Sequence, residues 1–172
     1  MANYIIYGGS FDPIHNGHLR IARAASIRLN ADVIFVPARS PRWKECEASA
    51  KDRLKMMKLV LRSYAPSGSQ ISMVELDSKD EINYTIDTIR YFLKKYQSSK
   101  FYLLIGADQV NRFPEWKEAS AIKDLVQIVY VPRPNVNVDQ KIIEDYHMMR
   151  LDYLESGEVS STDVRLGLSR NR

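Results

Sequence analysis

Cysteine is nearly absent: Cys46 is the single one among 172 residues. No intrachain disulfide can therefore form, and no zinc site can be assembled from several thiolates. A reducing cytoplasm is the expected compartment. No apolar run reaches the eighteen or so residues a membrane-spanning helix needs, so no membrane partner is expected. Met1–Tyr7 lacks a basic stretch leading into an apolar one, and so reads as a first strand and not as a signal peptide. Repeats and low-complexity segments are missing, as is any linker long enough to divide the chain, which makes 1–172 one expected domain. Neither sign of charge dominates. The net charge of +4 and a pI near 9.1 suit small anions or nucleic acid equally. No helical segment carries a basic stripe interleaved with aromatics, so nucleic acid is not the expected partner.

What is present is an alternation of short apolar runs with segments of helical period. The strands expected are Tyr4–Tyr7, Val33–Val36, Gln70–Val74, Phe101–Ile105, Val126–Val131 and Met148–Leu154. The helices expected are Gly17–Leu29, Ala50–Tyr64, Tyr84–Tyr96 and a short Ser160–Leu168, with Ala38–Glu47 as a loop. Strand–helix alternation of this kind predicts a Rossmann-like, doubly wound parallel α/β sheet of five to six strands.

The first strand stops at Gly8-Gly9-Ser10, and a helix begins near Gly17. In an open parallel sheet, ligands sit beyond the carboxyl ends of the strands. A glycine pair there lets backbone N–H groups come close to phosphate. The glycine spacing is wrong for a dinucleotide fingerprint, and no Gly-Lys-Ser/Thr follows to make a P-loop. Two of only three histidines, His15 and His18, lie three apart just beyond the turn. By themselves they are compatible with surface roles, with a metal site including Asp12, or with anion binding. Their place at the strand's carboxyl end favours imidazole donors aimed at a phosphoryl group.

The run Gly8-Gly9-Ser10-Phe11-Asp12-Pro13-Ile14-His15-Asn16-Gly17-His18-Leu19 resembles the first signature of the HxGH nucleotidyltransferases. Within that superfamily it is similar to the bacterial nicotinate-nucleotide adenylyltransferases. Val159-Ser160-Ser161-Thr162-Asp163-Val164-Arg165 resembles the family's second signature. Its Ser161 and Thr162 backbone groups and the Arg165 cation are then implied at the ATP phosphates. Asn83-Tyr84-Thr85-Ile86-Asp87-Thr88 and Pro114-Glu115-Trp116 resemble the pyridine side, with Trp116 offering a flat face to the ring. Ile105-Gly106-Ala107-Asp108 implies a close backbone approach at Gly106 and a ribose acceptor at Asp108. Val131-Pro132-Arg133-Pro134 resembles the adenine-side loop, which brings in Arg133. Lys44 aligns with a phosphate-binding lysine, although Ser40-Pro41-Arg42-Trp43 replaces the usual proline pair and histidine. Relatives usually also continue past the second signature with an apolar helical tail.

The resemblance implies adenylyl transfer from ATP to nicotinate mononucleotide, giving nicotinate adenine dinucleotide and pyrophosphate. Nicotinamide mononucleotide as acceptor, a sister activity such as phosphopantetheine adenylyl transfer or cytidylyl transfer, and a non-catalytic nucleotide sensor are the alternatives. The attacking phosphate is already an anion, so no side-chain nucleophile is required; positioning and charge stabilisation remain. His15 is assigned to the β/γ-phosphates, His18 to charge developing at the α-phosphate, and Lys44 and Arg165 to neutralising phosphate. Gly8, Gly9, Ser10 and Phe11 supply backbone beneath them. Mg²⁺ is expected to arrive with ATP, without protein metal ligands of its own. A homo-oligomer is compatible with all of this.

Overall fold

The structure, a computed structural model, describes residues 2–38, 50–77 and 84–152. Nearly continuous apolar runs form its central strands because a parallel strand covered on both faces has no solvent side to spend on polar residues. In chain order the elements are β1 Asn3–Gly9, α1 Asn16–Leu29, β2 Asp32–Pro37, α2 Ala50–Tyr64, β3 Gln70–Ile71, α3 Val74–Asp77 and α4 Thr85–Lys95. They continue with β4 Lys100–Gly106, α5 Ala107–Val110, a 3₁₀ turn at Phe113–Glu115, α6 Ala119–Leu125, β5 Gln127–Val131, α7 Gln140–Asp145 and β6 Met149–Arg150. All strand pairs are parallel, in the order β3-β2-β1-β4-β5-β6. The chain winds one way from β1 and the other way from β4. A crevice therefore opens at the carboxyl ends of these two neighbours.

Side chains alternate across the sheet. Ile5 faces a core shared with Leu19, Ala22 and Ala25 of α1 and with Met57 of α2. Ile6 faces the opposite core, shared with Ile86, Ile89 and Phe92 of α4 and with Ile122 of α6. The two alanines let α1 lie close on the sheet. Phe92 is buried beside the rings of Phe101 and Tyr96. Phe92→Ala should cost about 3–5 kcal/mol of stability in a denaturant titration, through lost burial and a residual cavity. No helix among the described residues is long and apolar enough to cross a membrane.

The third strand is shorter than Gln70–Val74: it ends at Ile71, and Val74 opens α3 instead. The Ser72 hydroxyl accepts the Val74 N–H at 3.3 Å, a local bond that draws this backbone away from a strand partner. Val126 caps α6 and precedes β5, which begins at Gln127. Of the expected last strand, the described residues place Met149–Arg150 in the sheet, with the Leu151 N–H bonded to the Tyr130 carbonyl at 2.9 Å, while 153–154 lie outside the described residues. The expected Ser160–Leu168 helix lies outside the described residues.

Candidate active site

Gly8 and Gly9 end β1 with backbone angles any residue could adopt. Among the described residues, a Cβ on Gly8 would meet only the Val36 carbonyl at 3.8 Å, and one on Gly9 only the Phe11 ring at 3.5 Å. Packing against the described residues therefore does not demand glycine here. Both residues line an open cleft of about 540 Å³, and the volume their side chains would take belongs to that cleft. The walls also include Ser10, Phe11 and Asp12 after β1, His15 capping α1 with Gly17 and His18 in its first turn, Gly106 at the end of β4 with Asp108 beyond it, and Arg133 after β5.

The two histidines are fixed by backbone. His15 caps α1, and its Nδ1 accepts the Gly17 N–H at 3.1 Å. His18 Nδ1 in turn accepts the His15 N–H at 3.0 Å. A neutral imidazole has one donor and one acceptor nitrogen, so two accepting Nδ1 atoms place both protons on Nε2. The rings stack at 3.9 Å between centroids, while Phe11 packs edge-on against His18 at 5.0 Å. The result is a rigid pair of imidazoles whose Nε2–H groups are free of these backbone bonds, on the wall of the cleft. No acidic residue sits in the first turn of α1 to compete for its positive end.

Burial, and secondarily the neighbouring His15, lower the His18 pKa to about 4 from an ordinary 6.5. His18 is therefore a neutral donor at physiological pH. Between pH 6.5 and 4 the unfolded chain takes up a proton that the folded chain refuses. The stability contributed by neutral His18 is thus present above pH 6.5 and lost as pH falls toward 4. Imidazole ¹⁵N shifts should show His18 still neutral at pH 5.5; a midpoint near 6.5 would contradict this environment.

Of the residues singled out from sequence, Gly8, Gly9, Ser10, Phe11, His15, His18, Gly106, Asp108 and Arg133 come together on this cleft. Phe11 contributes mostly as a buttress, since it is 2% exposed and its φ is +47°. Gly106 makes room for Asp108, whose Oδ1 lies 2.7 Å from where a Cβ would stand. Arg133 and Asp108 form a loose, exposed pair at 4.0 Å on the rim. Tyr84, Thr85 and Trp116 are not part of the cleft lining. Tyr84 caps α4 and lies under the Lys117 ammonium at 4.5 Å; Thr85 opens that helix; half-buried Trp116 packs on Phe113 at 4.8 Å. Lys44, Ser161, Thr162 and Arg165 lie outside the described residues. Gly17 went unassigned in the sequence, although a glycine inside a helix's first turn, between two histidines, was a signal available there.

The profile of the cytidylyltransferase-like family matches residues 6–167. The "Probable nicotinate-nucleotide adenylyltransferase" of Aquifex aeolicus is 41% identical over 131 residues, which span 75% of this chain and 76% of that protein. The "Nicotinate-nucleotide adenylyltransferase" of Bacillus subtilis is 33% identical over 163 residues, 93% of this chain and 82% of that protein. Among solved structures, the Plasmodium falciparum nicotinic acid mononucleotide adenylyltransferase complexed with NaAD shares the fold, with a TM-score of 0.75. That match covers 100% of this chain and 86% of the other at 22% identity. A six-stranded parallel sheet with a glycine–histidine cleft at its switch point, together with these relatives, shows that the chain belongs to the cytidylyltransferase-like family and, within it, to the nicotinate-nucleotide adenylyltransferases.

Proposed function

We propose that this chain transfers AMP from ATP to nicotinate mononucleotide, releasing pyrophosphate, as a cytoplasmic step of NAD biosynthesis. The observation that carries the reading is the paired Nε2–H donors of His15 and His18, locked by backbone beside Gly8 and Gly9. An oxygen of the mononucleotide phosphate attacks the α-phosphorus in line; the bond to the α–β bridging oxygen breaks, and pyrophosphate leaves with that electron pair. His18 donates to a non-bridging α-oxygen as charge builds, and His15 holds the β/γ-phosphates. Gly8 to Phe11 give backbone beneath the chain of phosphates. Asp108 receives the ribose hydroxyls beside Gly106, and Arg133 flanks the adenine. Lys44, Arg165, Ser161 and Thr162 complete the phosphate shell, while Tyr84, Thr85 and Trp116 take the pyridine ring.

Mg²⁺ fits this donor set as a passenger of ATP. The cleft offers mainly N–H donors with Asp12 and Asp108 as its carboxylates, within the one or two that Mg²⁺ takes from protein when phosphates supply the rest. Bound there, the ion would offset charge on the triphosphate.

Pyrophosphate release from ATP, Mg²⁺ and nicotinate mononucleotide tests the reading, and no release above background would end it. A parallel series with nicotinamide mononucleotide should give a much lower kcat/KM.

A further inference from the structure

Arg53, on α2, is 1% exposed, and is one of two buried polar or charged residues among those described; the other is Thr88. Its Nη1 donates to the Ser10 carbonyl at 2.6 Å and to the Ala38 carbonyl at 3.0 Å. Among the described residues, its Nε and Nη2 are buried without a hydrogen-bond partner. Enclosing a guanidinium on two neutral carbonyls is costly, and an apolar side chain of similar volume would serve the core better. The place of these two carbonyls explains the arrangement. Ser10 and Ala38 are the first residues beyond the ends of β1 and β2, where the two chains part after running in register as far as Gly9 and Pro37. The Ala38 N–H bonds to the Gly9 carbonyl at 2.9 Å, so Arg53 closes a small ring of contacts around the fork.

Ser10 belongs to the cleft wall, and the peptide it shares with Phe11 is trans. Holding the Ser10 carbonyl toward α2 therefore turns the Phe11 N–H the other way. It also pins the unit that precedes a non-glycine residue at positive φ, a conformation that persists only where its surroundings over-determine it. Phe11 in turn buttresses His18. We propose that Arg53 is a positioning residue for adenylyl transfer: from beneath the turn it fixes the Ser10–Phe11 peptide, and through Phe11 the His18 donor. Its buried charge also lends the loop a positive potential that solvent screens less than that of a surface cation.

This rests on the ATP site described above, and the test separates the two. Arg53→Met fills the space without charge or donors; relief of the buried charge offsets the two carbonyls left without a donor, so its Tm should stay close to that of the parent protein. Its kcat should fall ten- to a hundredfold, with KM for the mononucleotide within threefold. One nitrogen holds both carbonyls, so a lysine ammonium can replace it, and Arg53→Lys should recover most of the lost rate at the same Tm. A kcat for Arg53→Met within threefold of the parent overturns the proposal, as does a lysine variant no faster than the methionine one. Should Arg53→Met fail to fold, Arg53→Gln against Arg53→Lys at equal Tm decides the matter by the same ratio. If the parent protein turns over no nicotinate mononucleotide, the acceptor assignment falls, and affinity for a fluorescent ATP analogue judges Arg53. Tenfold weaker binding by Arg53→Met supports the positioning role, and equal binding overturns it.

Discussion

His18→Ala should lower kcat by a factor of about 10² to 10⁴, with KM for the mononucleotide nearly unchanged. Loss of one preorganised donor to a developing oxyanion ordinarily costs about 10²–10³ in rate. Here the deletion reaches further. The His18 Nδ1 is the acceptor for the His15 N–H, and the His18 ring is the surface on which His15 stacks. Alanine removes the donor proposed for the α-phosphate, leaves the His15 amide without its side-chain partner, and frees the second imidazole to turn. The two losses share one structural unit, so His15→Ala and the double variant should be far from additive. Steady-state pyrophosphate release at saturating ATP measures the effect, and a kcat within threefold of the parent would remove His18 from the chemistry.

Gly17→Ala should yield a protein of near-parental stability, the helix gain set against the lost His15 cap, that is distinctly slower. Gly17 does not have a positive φ, so alanine is conformationally acceptable, and in a helix it is favoured over glycine by up to about 1 kcal/mol. The obstacle is local. A Cβ at this position would stand 2.9 Å from His15 Cε1 and 3.0 Å from its Nδ1. The ring cannot give way without surrendering both the bond from the Gly17 N–H and the stack on His18. A fall in kcat on the order of tenfold to a hundredfold is expected, since displacing a reacting group by about 1 Å can cost that much. Calorimetry and kinetics on the same preparation check the two halves. A Gly17→Ala protein of parental rate would mean that the His15 ring is free to move during turnover.

Much of this was legible in the sequence because it follows from period and punctuation. The runs around Ile5-Ile6, Val33–Val36 and Leu103-Leu104 became central strands, since only strands covered on both faces keep such runs. Ala50–Tyr64 is a helix with the expected bounds. The short helices at Val74–Asp77, Ala107–Val110 and Gln140–Asp145 went unseen because four to six residues cannot display a helical period. The Ser72 turn was hidden because one hydroxyl decides it. Arg53 escaped for a different reason. It lies four residues before buried Met57 on the inner face of α2, so the period was right, but an arginine there reads as solvent-facing. In the cleft, the glycines and histidines announced themselves as types; the tautomers they share could only come from three-dimensional contacts.

The seam between β1 and β4 also bears on how the protein acquires its activity. Pairs such as Ile5 and Tyr102 bring together positions about a hundred apart in the chain. Closing so long a loop is entropically expensive, and contacts of this separation set the pace of folding in parallel sheets. The glycine turn and both histidines leave the ribosome early, whereas Gly106, Asp108 and Arg133 follow much later. A nascent chain therefore carries only half of this cleft through most of its synthesis, and the cleft is complete only once β4 has paired with β1.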